Sequence, residues 1–192
     1  SSAFSESTNK SGKRTMEKKL IIAGFGGQGV VMAGTLLAHA GMLEKKKVAF
    51  VPSYGPEMRG GTAHCAVILK DCEIYSPVVN FPDILIALNQ PSLEKFQHNV
   101  LKGGLIIYNV SLTDLQKKRK DAEYFGVRAT ELAGQLGDIR VANTVMLGAL
   151  ISRTHLIKRE TFIERTLPDL LTGKKASLID INRKAFLTGL NG

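Results

Sequence analysis

Short apolar runs, each bounded by glycine, proline or polar residues, recur along most of the chain. The run KLIIA at residues 19–23, which ends at Gly24, is typical of a strand buried on both faces of a sheet. Residues 62–69 instead alternate loosely between apolar and polar side chains, as a half-buried strand does. The strands that we predict are 19–23, 48–51 (also buried), 62–69, 74–75, 83–88, 105–108 and 124–127.

Longer segments with apolar residues at helical spacing separate these runs. Since strands alternate with helices, we predict a three-layer α/β/α fold with a mainly parallel, Rossmann-like sheet and a helical C-terminal segment. In such a sheet, loops that follow parallel strands meet at the carboxyl edge. The helices that we predict are 29–43, 92–101 with Ser92 as its N-cap, 131–136, 143–154, 159–171 and 177–190.

The first fifteen residues differ in composition from the rest. SSAFSESTNKSGKRT is rich in serine, threonine and lysine, so we expect residues 1–15 to be a flexible leader or a remnant of expression, and residues 16–192 to form one α/β domain. This segment has no hydrophobic core of a signal peptide, and no apolar run in the chain reaches the roughly eighteen residues of a membrane span. We expect a soluble, cytoplasmic protein.

The balance of charge is basic, with 26 lysines and arginines against 17 aspartates and glutamates and a formal net charge of +9. The basic clusters at 45–47, 117–120 and 174–175 are short and fall at predicted helix ends and turns. A nucleic-acid surface usually has a denser stripe or a known module, so we expect no nucleic-acid partner. A solvated face that serves solubility is the favoured interpretation of this charge, and attraction of an anionic cofactor or partner is the main alternative.

Cysteine and histidine show no spacing that would bind a metal. Cys65 and Cys72 form no C-x-x-C pair, and an iron–sulfur cluster normally takes four thiolates. We expect two ordinary reduced thiols. His64 follows a glycine-rich segment in an alternating strand, so it faces either a crevice or the core.

A glycine loop lies between the first predicted strand and the first helix. Gly24, Gly26, Gly27, Gln28 and Gly29 belong to a G-x-G-x-x-G pattern, whose backbone N–H groups can approach a phosphate at a helix N-terminus. A nicotinamide site also needs a carboxylate at the end of the second strand, and none is present there. Three interpretations stay open: a dinucleotide site, a site for another phosphate-bearing ligand, or glycines that serve chain geometry alone.

A second loop rich in glycine and proline follows the second predicted strand, so both loops are expected at the same sheet edge. The guanidinium of Arg59 suits a phosphate or carboxylate, although an ion pair with Glu57 that merely holds the loop explains it equally well. The candidate binding residues of this loop are Ser53, Tyr54, Gly55, Glu57, Arg59, Gly60 and Gly61.

These two loops, GFGGQGVV and SYGPEMRGG, resemble those of the gamma subunit of 2-oxoacid:ferredoxin oxidoreductases, on the pyruvate and 2-oxoglutarate branch. The resemblance runs from Lys18 to Gly189 and includes, beyond the loops, DILIALN at 83–89, Asn143, LGAL at 147–150, Asn182, Ala185-Phe186 and Gly189.

The resemblance implies a multisubunit enzyme that converts a 2-oxoacid and coenzyme A to an acyl-CoA and carbon dioxide and passes two electrons to ferredoxin. Thiamine diphosphate with Mg and iron–sulfur clusters would lie on partner chains, namely the alpha, beta and ferredoxin-like subunits. This chain lacks the Gly-Asp-Gly and Asn-Asn pattern of a thiamine site. We therefore expect it to bind none of these cofactors and to have no catalytic residues of its own, being inactive alone, and to contribute to the coenzyme A site through its two loops.

Two alternatives remain beside this identification. A stand-alone nicotinamide- or flavin-binding oxidoreductase would use the first loop but lacks the ribose carboxylate. The beta subunit of an indolepyruvate oxidoreductase resembles this chain in the first loop, and the Tyr-Gly-Pro-Glu sequence of the second loop favours the gamma subunit instead.

Overall fold

The computed structural model describes residues 7–8, 14–53 and 62–192. Its main sheet has six strands in the order β4-β5-β3-β6-β7-β8, and a separate antiparallel pair is formed by β1 and β2. Both members of that pair fall within the predicted leader, and the division of the chain at residue 16 stays a prediction. The strands are β1 (Ser7–Thr8), β2 (Arg14–Thr15), β3 (Glu17–Phe25), β4 (Lys47–Ser53), β5 (Thr62–Lys70), β6 (Ile84–Ala87), β7 (Leu105–Asn109) and β8 (Glu123–Val127).

The prediction of a mainly parallel sheet is confirmed. Strands β3, β6, β7 and β8 pair in parallel, while β5 pairs antiparallel with both β3 and β4. Because β5 lies between them, β3 and β4 run in the same direction but are not neighbours. The prediction of a buried second strand is wrong: β4 is an edge strand whose side chains are exposed or half-exposed, since its apolar run is covered on one face only.

The helices confirm the predicted alternation, with shifted ends. Short 3₁₀ turns follow α2 and precede α4 and α7, and a π-helical turn at Phe162–Thr166 divides the predicted helix 159–171 into short pieces. The α-helices are α1 (Val30–Leu43), α2 (Gln90–Phe96), α3 (Ala129–Gln135), α4 (Ala142–Thr154), α5 (Arg159–Thr161), α6 (Leu167–Leu170) and α7 (Ile179–Leu190).

Two apolar cores lie on opposite faces of the sheet, so the three-layer prediction is confirmed. The larger core joins Leu20 and Ile22 of β3 to α1, α3, α4 and α7. The smaller core joins Ile21 and Ala23, the alternate residues of the same strand, to α2. The faces differ because successive side chains of a strand point to opposite sides.

Two local predictions are wrong. Residues 74–75 form no strand, and the side chain of Tyr75 is 93% exposed. Because no apolar surface covers this short run, it does not join a sheet. The N-cap of α2 is Asn89, whose side chain accepts a hydrogen bond from the Ser92 backbone N–H at 3.0 Å. Ser92 lies inside the first turn instead, because the helix begins at Gln90 with a proline in that turn.

The C-terminal helix packs against α4 through two glycines. A methyl group at Gly148 would collide with the backbone oxygen of Phe186, and one at Gly189 would collide with that of Val145. The two backbones therefore approach more closely than any larger residue allows. Phe186 also stacks on Phe162, with ring centroids 4.1 Å apart, so α7 belongs to the main core.

The described residues contain no helix with the length and apolar character needed to cross a bilayer. Nor do those residues bring three or more histidine, cysteine, aspartate or glutamate side chains together as a metal site.

Candidate functional site

The first glycine loop turns the chain from the centre of the sheet into its longest helix. Gly24 is still within β3, and Gly29 is the residue before α1. Gly27 and Gly29 have φ angles of 91° and 71°, a left-handed conformation that favours glycine. Gly26 and Gly27 are exposed. Glycine is thus required here by backbone geometry, whatever else the loop binds.

The side chain of Gln28 closes the loop on itself. Its Oε1 accepts hydrogen bonds from the Phe25 backbone N–H at 2.7 Å and from Asn89 Nδ2 at 2.9 Å. A backbone N–H can only donate, so the bond to Phe25 fixes which end of the Gln28 amide is oxygen. In the same way, the hydrogen bond from the Ser92 backbone N–H fixes which end of the Asn89 amide is oxygen. The loop is thereby joined to the start of α2.

Beside this clamp, several donors of the loop remain unpaired within the described residues. The backbone N–H groups of Gly26, Gly27 and Gly29, and the Nε2 group of Gln28, donate to no acceptor in the part of the chain that the structure describes. The first turn of α1 adds the positive end of a helix dipole. Unpaired donors at a helix N-terminus favour anions or other strong acceptors.

A buried polar chain supports the loop from the C-terminal helices. Asn143 of α4 donates from Nδ2 to the Gly29 carbonyl oxygen at 2.9 Å. The Thr144 hydroxyl donates to Asn182 Oδ1 at 2.7 Å, and Asn182 Nδ2 donates to the Leu178 carbonyl at 2.9 Å. A methyl group at Gly29 would collide with the Asn143 amide. The position of Gly29 is therefore set by α4 and, through it, α7.

Sequence reasoning did not assign these supporting residues a role. Asn89, Asn143 and Asn182 appeared in it only as part of the family resemblance. Asn89 follows a predicted strand and Asn143 begins a predicted helix, which are frequent capping positions, whereas Asn182 lies inside the predicted helix 177–190. Nothing in the sequence says which backbone group such an amide meets.

Most of the second loop lies outside the described residues: Tyr54, Gly55, Glu57, Arg59, Gly60 and Gly61. Its two ends are described. Ser53 ends β4 and pairs with His64, while Thr62 begins β5 and pairs with Phe25 beside the first loop. Ser53 and Thr62 therefore lie at the same sheet edge as the first loop, and the predicted position of the second loop itself concerns residues outside the described part of the chain.

A cleft of about 490 Å³ lies beside Ser53, on the face of the sheet that carries α2. His64 lies in this cleft with its ring centroid 5.0 Å from that of Phe96, and Lys95 Nζ is 5.5 Å from the Phe96 centroid. His64 thus faces a crevice, one of the two positions that the sequence left open. The other lining residues are Ile21, Val51, Pro52, Ala66, Pro77, Val78, Val79, Asn80 and Asn99.

The cysteines are separated by the fold. Cys65 is buried in the main core beside α1, and burial raises the pKa of its thiol to about 12. It therefore stays protonated at neutral pH and is neither a nucleophile nor a ready metal ligand. Cys72 is half-buried in the segment that follows β5.

Comparison with known proteins gives a consistent match over almost the whole chain. Residues 19–192 match the family described as pyruvate ferredoxin/flavodoxin oxidoreductase. Ketoisovalerate oxidoreductase subunit VorA of Methanothermobacter marburgensis is 39% identical over 90% of this chain and 36% of its own length. 2-Oxoglutarate synthase subunit KorC of Methanocaldococcus jannaschii is 34% identical over 82% of this chain and 86% of its own.

A solved structure agrees with the sequence relatives. The gamma subunit of a keto/oxoacid ferredoxin oxidoreductase from Geobacter sulfurreducens superposes with a TM-score of 0.77 and 27% identity, covering 91% of this chain and 96% of that one. The chain thus spans about a third of VorA but most of KorC and of the Geobacter subunit.

Proposed function

The chain belongs to the pyruvate ferredoxin/flavodoxin oxidoreductase family, and we propose that it is the gamma subunit of a multisubunit 2-oxoacid:ferredoxin oxidoreductase. The observation that carries this proposal is the match to relatives of the same size. KorC and the Geobacter gamma subunit correspond to this chain over most of their lengths. The reaction would be the oxidative decarboxylation of a 2-oxoacid to an acyl-CoA.

The residues present do not fit the redox cofactors of such an enzyme. Two thiols, one of them buried with a pKa of about 12, cannot hold an iron–sulfur cluster that normally takes four. The thiamine-binding sequence pattern is absent as well. In this proposal the alpha, beta and ferredoxin-like subunits hold thiamine diphosphate, Mg and the clusters, and no chemical step is assigned to this chain.

The role that we assign to this chain is to bind and orient an anion at the first glycine loop. The donors of Gly26, Gly27, Gly29 and Gln28 offer hydrogen bonds to a phosphate, and no acceptor among the described residues competes for them. Coenzyme A is the anion to test first, because the family resemblance implies it as co-substrate. We propose that Arg59 of the second loop adds a fixed cation at the same edge.

A stand-alone nicotinamide enzyme has less support. Such a site needs a carboxylate at the end of the strand next to the glycine loop. The neighbour of β3 on that side is the antiparallel β5, and β4 ends in Pro52 and Ser53. Neither strand end supplies a carboxylate within the described residues.

Reconstitution tests the proposal. The subunits encoded with this chain are purified separately and combined with and without it, then assayed with pyruvate, 2-oxoglutarate or ketoisovalerate, coenzyme A and a viologen acceptor. We expect turnover only in the complete mixture and none from this chain alone. Full activity without the chain, or activity of the isolated chain, would contradict the proposed role.

A further inference from the structure

Asn143, in the first turn of α4, is a buried polar side chain that faces the first glycine loop. Its Nδ2 donates to the Gly29 carbonyl oxygen at 2.9 Å, and its Oδ1 accepts from the Thr144 backbone N–H at 2.8 Å. Because a backbone N–H can only donate, the second bond fixes which end of the amide is oxygen. The side chain is only 5% exposed. The amide nitrogen is therefore held towards Gly29 in one orientation.

Gly29 does not fix this geometry by itself. Its φ angle is 71°, and glycine populates positive and negative φ about equally. Its carbonyl oxygen also accepts from the Ala33 backbone N–H at 2.9 Å, but that bond joins Gly29 only to its own helix. Asn143 joins it to α4, which packs in the main core. Since a methyl group at Gly29 would collide with the Asn143 amide, the amide restricts the glycine by contact as well as by hydrogen bonding.

The conformation of Gly29 determines where two parts of the proposed anion site point. Its own N–H is one of the donors that meet no acceptor among the described residues, and its carbonyl oxygen accepts the bond that begins α1. A change in the φ or ψ angle of Gly29 would turn the loop donors relative to the dipole of that helix. An anion would then bind only the fraction of molecules in which both are aligned, and its apparent affinity would fall with that fraction.

We infer that Asn143 is a positioning residue of the proposed anion site, which keeps Gly29 in the conformation that aligns the loop donors with the first turn of α1. This inference rests on the proposed function, and it names a residue outside both glycine loops on which the affinity for coenzyme A depends. Asn143 acts through Gly29, since its oxygen and its nitrogen are both engaged within the chain.

Two substitutions of Asn143 remove the donor to Gly29. Asn143→Leu keeps a similar side-chain volume and so leaves no room for a bridging water. Asn143→Ala removes the donor without crowding the loop. Both variants also leave the buried Thr144 backbone N–H without its acceptor, so we expect each to unfold at a lower urea concentration than the wild type.

Thr144 offers a matched control on the same helix. Its side chain is fully buried, and its hydroxyl donates to Asn182 Oδ1 at 2.7 Å. The same hydroxyl lies 3.4 Å from Asn143 Oδ1, which is too long to compete for its one hydrogen. Thr144→Val removes the bond to Asn182 but keeps the Thr144 backbone N–H, and hence both bonds of Asn143. This variant should also lose stability in urea, with Gly29 still held.

The measurements are kcat, the KM for coenzyme A and the KM for the 2-oxoacid in the reconstituted complex. We expect both Asn143 variants to raise the KM for coenzyme A roughly three- to tenfold, the effect of one lost hydrogen bond. Their kcat and their KM for the 2-oxoacid should stay unchanged, because saturating coenzyme A selects the molecules with an aligned loop. Thr144→Val should keep the KM of the wild type for coenzyme A.

The other outcomes separate the inference from the proposed function. A normal KM for coenzyme A in the Asn143 variants would make Asn143 a structural residue and overturn the inference alone. An equal rise in Thr144→Val, or a rise joined to a changed KM for the 2-oxoacid, would overturn it too, because general destabilisation or faulty assembly would explain the effect. If the leucine variant does not fold, the alanine variant decides. A wild-type complex whose turnover does not depend on this chain would overturn both.

Discussion

Replacement of Gln28 separates the two tasks that the structure gives this side chain. Its Oε1 clamps the loop by accepting from the Phe25 N–H and from Asn89 Nδ2. Its Nε2 group is one of the donors that we propose for the anion. Glutamate keeps an acceptor oxygen in the clamp and replaces the outward donor by a charged oxygen. Leucine removes both functions while filling a similar volume.

The clamp determines the expected effect on stability. With leucine, the Phe25 N–H regains water, but Asn89 is only 2% exposed, so its amide N–H stays buried without a partner. One lost hydrogen bond costs about 1 kcal/mol and a buried unpaired donor about 1–3 kcal/mol, which gives about 2–4 kcal/mol of lost unfolding free energy. With glutamate both bonds remain, and we expect a change below about 1 kcal/mol.

The group that replaces Nε2 of Gln28 determines the expected effect on anion binding. A carboxylate about 5 Å from a bound phosphate, at an effective dielectric constant of about 20, is repelled by about 3 kcal/mol. The apparent KM for coenzyme A should then rise on the order of a hundredfold in Gln28→Glu. Gln28→Leu loses a neutral donor worth about 0.5–1.5 kcal/mol, so its KM should rise only several-fold.

The two variants are therefore expected to show crossed effects. Stability is measured by urea unfolding of the isolated chain, and the KM for coenzyme A and for the 2-oxoacid in the reconstituted complex. Leucine should lower stability more, glutamate should raise the KM for coenzyme A more, and the KM for the 2-oxoacid should stay unchanged in both. A glutamate variant with a normal KM for coenzyme A would show that Gln28 is a clamp alone and that no anion meets this loop.

Three further predictions concern other parts of the chain. Arg59→Ala should raise the KM for coenzyme A in the complex roughly ten- to a hundredfold, the effect of one charge-assisted bond of about 1.5–3 kcal/mol; failed assembly with normal kinetics in the remaining complex would make Arg59 a structural residue. Gly189→Ala places a methyl group against the backbone of α4 and should cost about 1–3 kcal/mol in urea unfolding, while Gly134→Ala, whose nearest neighbour would be 3.8 Å away, should not destabilise. Because burial raises the pKa of Cys65 to about 12, a thiol reagent at pH 8 should modify Cys72 alone in the native protein and both thiols in denaturant; two fast-reacting thiols would contradict the buried position.

The succession of strands and helices along the chain was predictable because each buried strand has a continuous apolar run. The runs at β3, β6 and β7 are buried on both faces, which is the case in which composition alone identifies a strand. The run of β4 has the same composition but lies at the edge. Strand order is decided by contacts between distant segments, and the hairpin of β4 with β5 inserts β5 beside β3. No local pattern records that insertion.

The position of the first loop was predictable, but its internal structure was not. A glycine-rich turn between a strand and a helix identifies where a phosphate could approach. The clamp depends on Gln28 meeting Asn89, which is 61 residues away in the chain. Such pairs form because the carboxyl ends of β3 and β6 are neighbours. The sequence shows that both residues follow strands, and only the sheet order shows that they meet.

The C-terminal helix explains why distant residues accompany the glycine loop in the resemblance. Asn182 of α7 accepts the Thr144 hydroxyl hydrogen, and the adjacent Asn143 holds the Gly29 carbonyl. Gly189 lets α7 approach α4 closely enough for the bond between Thr144 and Asn182 to form. Because each of these groups is buried and paired, a change at one leaves its partner unsatisfied. The glycine loop and the last helix therefore behave as one unit, although 114 residues separate Gly29 from Asn143.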